Sequence, residues 1–378
     1  MKIDSERLAA NFITLCEIDS PSRREGRVAA LLKEIFTELG ADEIVEDDSA
    51  RTTGSDSGNL FIRFNGTLER EAVFFNCHMD TVEPGTGVRV RREGDTFFSA
   101  GDTVLGGDDK SGIAALIEAM RLVRARRLEH GPLEFIFTTC EEIGLLGAKA
   151  LDPAMIRAGS GYALDSSGFG RVILGAPAAN RLHIIIRGVA AHAGLHPERG
   201  ISAIKLAAQA IAAAPCGRIN KDSSINFGTI RGGEASNIVP AEVVIDGEIR
   251  SHSGRELDEL TGRVRAAFSQ VIDDWQDPGG EARGRPGLSF AAPLDFPVMK
   301  LRPDDLVIRR VAEAARLIGL DLKYESAGGG SDANIFNGYG RPTAIIATGM
   351  TNVHSTDEQI SLRDLTGLTR LLVAIITL

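Results

Sequence analysis

Apolar residues recur at helical spacing near the start of the chain: Leu8, Phe12 and Leu15, then Val28, Leu31, Leu32, Ile35 and Leu39. They predict two helices, the second stopped by Gly40. The runs Asn59 to Phe64, Val73 to Cys77, Leu133 to Thr139 and Tyr162 to Leu164 are short, rich in Phe, Ile, Leu and Val, and bounded by Gly, Asn, Asp or Pro, so they predict strands. Between two of these runs, Ile113, Leu116, Ile117, Met120 and Val123 fall on one helical face. Strand, helix and strand in alternation give an α/β pattern.

From about Asn180 the texture changes. Arg181 to Arg187 is a β-rich run, Ile201 to Ala213 an Ala-rich helix, Val243 to Ile249 a strand and Arg255 to Val271 a helix, which together predict a self-contained α+β unit. Gly279 to Gly287 is expected to be a loop inside it. After Pro293 the α/β pattern resumes with a helix over Asp304 to Ile318 and a strand over Thr343 to Ala347. The expectation is a host domain formed by 1–179 and 294–378, with 180–293 inserted as a smaller domain.

Composition narrows the function classes. Of 378 residues, 43% are hydrophobic and 25% charged, which excludes a disordered chain. Asp and Glu outnumber Lys and Arg by 52 to 42, and no basic cluster is interleaved with aromatics. That argues against nucleic acid and against an anionic membrane as partner. No apolar run approaches the roughly 20 residues of a membrane span. Met1 to Ser20 carries Asp4, Glu6, Arg7, Glu17 and Asp19, which does not fit a secretory signal. Four cysteines without CxxC spacing suggest reduced thiols, so a cytoplasmic protein with small-molecule chemistry is expected.

The chemistry concentrates just beyond the predicted strands. His78 and Asp80 follow the run ending at Cys77; Glu141 and Glu142 follow the one ending at Thr139; Asp165 follows Leu164; His354 lies a short loop beyond Ala347. In open α/β sheets the crevice outside the carboxyl ends of the strands is the usual ligand site. A polar loop after a buried strand would account for His78 alone, and an N-cap for one of Asp108 and Asp109 at the start of a helix. Two adjacent carboxylates exceed that need, and they would repel a phosphate, which argues against a nucleotide loop at Gly106 to Gly112. Glu141 and Glu142, beside an apolar and Gly-rich segment, are costly to bury unless a cation or proton is shared. A dinuclear metal site requires several His and carboxylate ligands, one bridging carboxylate and one free base. His78, Asp108, Glu142, Asp165 and His354 fill the first two roles and leave Glu141 for the third. HExxH and GxSxG are absent.

The runs HMDT (78–81), LGGDDKSG (105–112), TCEEIG (139–144), GVAAHAG (188–194), ASNIVP (235–240), GGGSDAN (328–334) and VHSTDE (353–358), together with Asp165, resemble the peptidase T, glutamate carboxypeptidase and aminoacylase superfamily of dizinc hydrolases. HMDTVEPG, LGGDDKSGIAA and GEIRSH look most like its peptidase T-like branch. The resemblance implies an α/β, three-layer catalytic domain with a mostly parallel mixed sheet, plus an inserted α+β lid or dimerisation domain. It implies two Zn2+ per subunit, with Co2+ or Mn2+ as substitutes. His78, Asp108 and Asp165 would bind one, Asp108, Glu142 and His354 the other, with Asp108 bridging. Glu141 matches the general base, Asp80 the partner of His78, His192 a lid histidine that reaches the scissile carbonyl, and Asn237 and Arg250 substrate-contacting positions.

A short peptide is then the expected substrate and a tripeptide aminopeptidase the first reading. A dipeptidase, carboxypeptidase or N-acyl amino acid deacylase on the same core, and a non-catalytic metal- or peptide-binding protein, stand as alternatives. Some relatives dimerise through the inserted domain, which leaves a homodimer open. His130, His183, His196 and His252 read as surface or structural residues, and Cys77 and Cys140 as small buried apolar ones.

Overall fold

The computed structural model describes residues 2–378. The chain divides into two compact units, Met1–Gly175 with Lys300–Leu378, and Ala176–Met299. These borders fall a few residues outside the expected 180 and 293. The strand Ala178–Arg187 begins earlier than its apolar run, and Leu294–Phe296 still pairs with it. Among the described residues, no helix is long and apolar enough to cross a membrane.

The first unit is built on a nine-stranded mixed sheet. Its centre is four parallel strands in the order Leu133–Thr138, Val73–His78, Ser160–Ala163, Thr343–Thr348. Leu60–Phe64 flanks one side antiparallel and Phe169–Ala176 the other. Three of the four central strands are buried along their whole length, as expected of parallel strands covered on both faces. Adjacent residues show the two faces: Phe74 packs on Phe336, in the helix Asp332–Gly338, with ring centroids 5.1 Å apart, whereas Phe75 turns to Phe135 and Tyr162. Phe36, from the helix Gly26–Glu38, closes on Phe135 and Phe137. Helices therefore cover both faces, giving the three layers expected.

The second unit is an antiparallel six-stranded sheet, with Glu242–Ser251 and Ala178–Arg187 at its centre. Leu182, Ile184 and Ile186 alternate with Arg181, His183 and Arg187, so one face is apolar. That face carries the helices Ala203–Ala213 and Gly254–Asp273 through Leu206, Ala210, Leu260, Val264 and Phe268.

Phe135 touches Phe36, Phe64 and Phe75, tying a helix to three strands. Phe135→Ala is expected to lower unfolding stability by about 3–5 kcal/mol, from lost burial plus the cavity left behind. Urea denaturation followed by circular dichroism checks this; a loss below about 1 kcal/mol would mean the cluster does not pin the sheet.

Candidate metal centre

All four central strands end on the same edge of the sheet, so the residues just beyond them converge. Val73–His78 delivers His78 as its last residue. Leu133–Thr138 leads to Glu141 and Glu142, Ser160–Ala163 to Asp165, and Thr343–Thr348 to the loop carrying His354. Asp108 comes from the start of the helix Gly107–Arg126, where its own backbone is not yet helical and its peptide to Asp109 is cis.

Asp108 stands at the middle of the cluster. Its Oδ1 lies 3.0 Å from Nε2 of His78, and its Oδ2 lies 3.3 Å from Nε2 of His354. Nε2 of His354 is also 3.0 Å from Oε2 of Glu142. His78, Asp108 and Glu142 each offer a ligand atom, all within 4.8 Å of one another. Two ligands of one tetrahedral zinc, each at about 2.0–2.1 Å, stand about 3.3 Å apart. The observed separations match that spacing, and a set of imidazole and carboxylate donors suits zinc chemically.

The electrostatics express the same demand for positive charge. Burial pushes the carboxyl of Asp165 up to about 8, with the negative charge of Asp108 adding to it. Burial also raises Glu141 well above the ordinary carboxylate range, reinforced by Asp165. Glu142 is raised by burial against the opposing pull of His354. His354 is held up to about 10 by Asp108 and then Glu142. Burial opposes charge on His78, but Asp108 and Asp80 outweigh it and raise this imidazole too. Asp108 is the exception: burial disfavours its charge, yet the two histidines hold its carboxyl below the usual range.

Asp80 lies beside His78 and supports the two glutamates as well. Its main-chain oxygen, not its carboxylate, is the near partner of Nδ1 of His78, at 2.9 Å against 3.5 Å for Oδ1. The carboxylate instead accepts the backbone N–H groups of Glu141 and Glu142, at 2.9 and 3.2 Å, and the hydroxyl of Ser22 at 2.5 Å.

Sequence reasoning missed other supports. Glu358 is buried and accepts the backbone N–H groups of Gly106 at 2.8 Å and Asp108 at 2.9 Å. Asp332 is buried, accepts the hydroxyl of Thr138, and is raised by burial to about 6. Both sit inside runs quoted above, but their partners are a main chain and a threonine far off in sequence, which no spacing signals. Lys110, fully buried, donates to Oγ of Ser20 at 2.8 Å.

His192, Asn237 and Arg250 all lie in the second unit. His192 and Asn237 are exposed on neighbouring segments, where the N–H of Ala193 donates to the Asn237 carbonyl. Arg250 donates to Glu248 at 3.0 Å. His183 and His196 pair with Asp246 and Glu198, and His130 is buried against Gly131. Cys77 and Cys140 are buried, and burial together with Glu25 pushes the Cys140 thiol up to about 12, so it is no thiolate nucleophile.

Residues 175–276 match a model of the peptidase dimerisation domain, and residues 59–173 match a model of peptidase family M28. The crystal structure of an aminopeptidase from Bacillus cereus is 38% identical, with 99% of this chain and 98% of that one covered at a TM-score of 0.88. That of a tripeptidase from Staphylococcus aureus is 32% identical, with the same coverage and a TM-score of 0.90. The uncharacterized protein YqjE of Bacillus subtilis is 39% identical over 375 residues, 99% of this chain and 98% of its own length.

Asp165 and His354 both hold their protons more tightly folded than unfolded. Their contributions to stability are complete below the unfolded values and are lost as pH rises, for Asp165 between about 4 and about 8 and for His354 between about 6.5 and about 10. The metal-free protein should therefore melt at lower temperature at about pH 9 than at about pH 6, and added zinc should flatten that slope. Scanning calorimetry with and without zinc reads it; a metal-free midpoint that rises over this range would contradict the charge balance described.

Proposed function

We propose that this chain, which belongs to the M20 family of peptidases in its peptidase T-like branch, is an aminopeptidase acting on short free peptides, tripeptides foremost, with two zinc ions. A zinc-dependent exopeptidase of this general type is an enzyme, which sets aside the reading as a non-catalytic binding protein. The observation that carries the dinuclear reading is the division of Asp108, one carboxylate oxygen toward His78 and the other toward His354. That is the disposition a bridging ligand needs. In this reading His78, Asp108 and Asp165 hold one zinc, and Asp108, Glu142 and His354 the other.

When bound there, two zinc ions supply Lewis acidity that polarises the scissile carbonyl and makes water a nucleophile near neutral pH. The chain supplies the rest. Glu142, 3.0 Å from His354, would be taken up as a ligand beside it, and Glu141, its neighbour, is left as the base that takes a proton from the attacking water and passes it to the leaving amine. Asp80 fixes the backbone of both glutamates and, through its main-chain oxygen, the tautomer of His78. In the second unit, His192 is proposed to steady the developing oxyanion and Asn237 to contact the substrate. Arg250, with a planar fork of donors, suits a free carboxylate, which favours short peptides over proteins. The match of residues 175–276 to a peptidase dimerisation domain supports a homodimer formed through this unit.

Glu141→Gln is expected to keep its zinc while losing about 10²–10⁴-fold in kcat. Chelation should abolish turnover, with Zn2+, Co2+ or Mn2+ restoring it. Free tripeptides, free dipeptides and their N-acylated counterparts, assayed with metal analysis, discriminate the substrates. Cleavage of acylated compounds alone would replace the aminopeptidase with a deacylase, and full turnover in Glu141→Gln would remove Glu141 from the mechanism.

A further inference from the structure

The segment that carries Glu141 and Glu142 leaves its strand by a sharp turn, with Cys140 in the left-handed region at φ 53°. Its backbone donors no longer pair with a neighbouring strand, and they are buried or, at Glu142, half-buried, so each needs another acceptor. Four consecutive N–H groups find one on side chains from elsewhere in the first unit. Thr139 donates to Oδ1 of Asn59 at 3.1 Å, Cys140 to Oε1 of Glu25 at 2.9 Å, Glu141 to Oδ1 of Asp80 and Glu142 to Oδ2 of Asp80.

Glu25 is the least expected of these. It is fully buried at the foot of the helix Gly26–Glu38, where a carboxylate is costly unless its oxygens are satisfied. They are satisfied by the turn and its surroundings: Oε1 accepts from the N–H of Arg23 at 3.0 Å as well as from Cys140, and Oε2 accepts the hydroxyl of Ser55. Glu25 does not cap its own helix. A non-glycine residue persists in a left-handed conformation only where its surroundings over-determine it, and the bond to Glu25 falls on that very residue.

We infer that Glu25 is a positioning residue: by holding the Cys140 N–H it locks the turn that aims Glu141 and Glu142. The inference rests on the roles proposed for those two glutamates. Releasing this clamp frees the turn at its strained residue, and both side chains shift by fractions of an ångström. Misplacements of that order cost catalysis far more than binding, and loss of an outer partner of a ligand weakens metal affinity.

The test compares Glu25→Gln, which keeps an oxygen acceptor for Cys140, with Glu25→Met, which has similar length and no such acceptor. In Glu25→Met, kcat per zinc-loaded site is expected to fall by about 10–100-fold with KM within about threefold, and zinc affinity by chelator competition to weaken by about 10-fold. Glu25→Gln should restore both to within about threefold of the unmodified chain. Equal losses in the two variants, or unchanged kcat and zinc affinity in Glu25→Met, would overturn the inference. If Glu25→Met does not fold, Ser55→Ala loosens the same carboxylate from its other side. A smaller loss of the same pattern is then expected, and no loss would overturn it. Zinc affinity is read without substrate, so a chain that binds zinc yet cleaves no peptide refutes the proposed function alone, and the metal arm still decides on Glu25.

Discussion

Repulsion among carboxylates gathered at the ends of four parallel strands is the constraint around which the first unit is organised. Asp108, Glu141, Glu142 and Asp165 meet with His78 and His354 as partners of opposite sign, and Asp332 lies close enough to add to the charge felt by Glu141. Like charges brought this near in a buried place either take up protons or require a cation. The upward shifts of Asp165 and Glu141 run in the direction of the first outcome, and the donor spacing around Asp108 suits the second. Cohesion has to come from elsewhere in the sheet. Phe75, Phe135, Phe137 and Tyr162 supply it beneath the strand ends, together with Phe36.

The loops that hold these charges are stiffened by further carboxylates rather than by added cations. Glu358 takes the N–H groups of Gly106 and Asp108, and Asp80 those of Glu141 and Glu142. Backbone donors satisfy a carboxylate with partial charge fixed to the main chain. A lysine or arginine at the same place would compete with a metal for the ligand oxygens. The buried Lys110 respects this rule: its hydrogen bonds run to Ser20 and to the carbonyl of Leu15, away from the ligand set.

The elements that build the sheet's parallel centre are plain in the sequence because buried strands are short apolar runs and the helices between them repeat at 3.6 residues. The same reading singles out His78, Glu142, Asp165 and His354 as candidates, since a candidate ligand beyond a strand needs only the strand's end to be located. It does not reach Glu25 or Glu358, whose partners are backbone N–H groups 115 and 250 residues away. Nor does it find the strand Phe169–Ala176, where Gly170, Arg171 and Gly175 interrupt the apolar run, or the hairpin Val90–Glu93 with Thr96–Ser99, which is largely polar. Asp80 stands beside His78, but that its main-chain oxygen comes nearer than its carboxylate is not legible, because the alternation of an extended segment fixes where a side chain points and not which of its donors and acceptors is nearer.

Adjacent glutamates with different tasks are a consequence of the turn that bears them. In an extended strand neighbouring side chains point to opposite faces, and in a helix they diverge by roughly 100°. A left-handed residue immediately before the pair provides a third arrangement, in which Glu142 reaches His354 while Glu141 feels Asp165 and Asp332. The proposed base is thereby one covalent residue away from a proposed ligand, and its position relative to the metals inherits the rigidity of that ligand's backbone. A base on a separate loop would need its own means of registration. Here one set of hydrogen bonds, to Asp80 and Glu25, serves both.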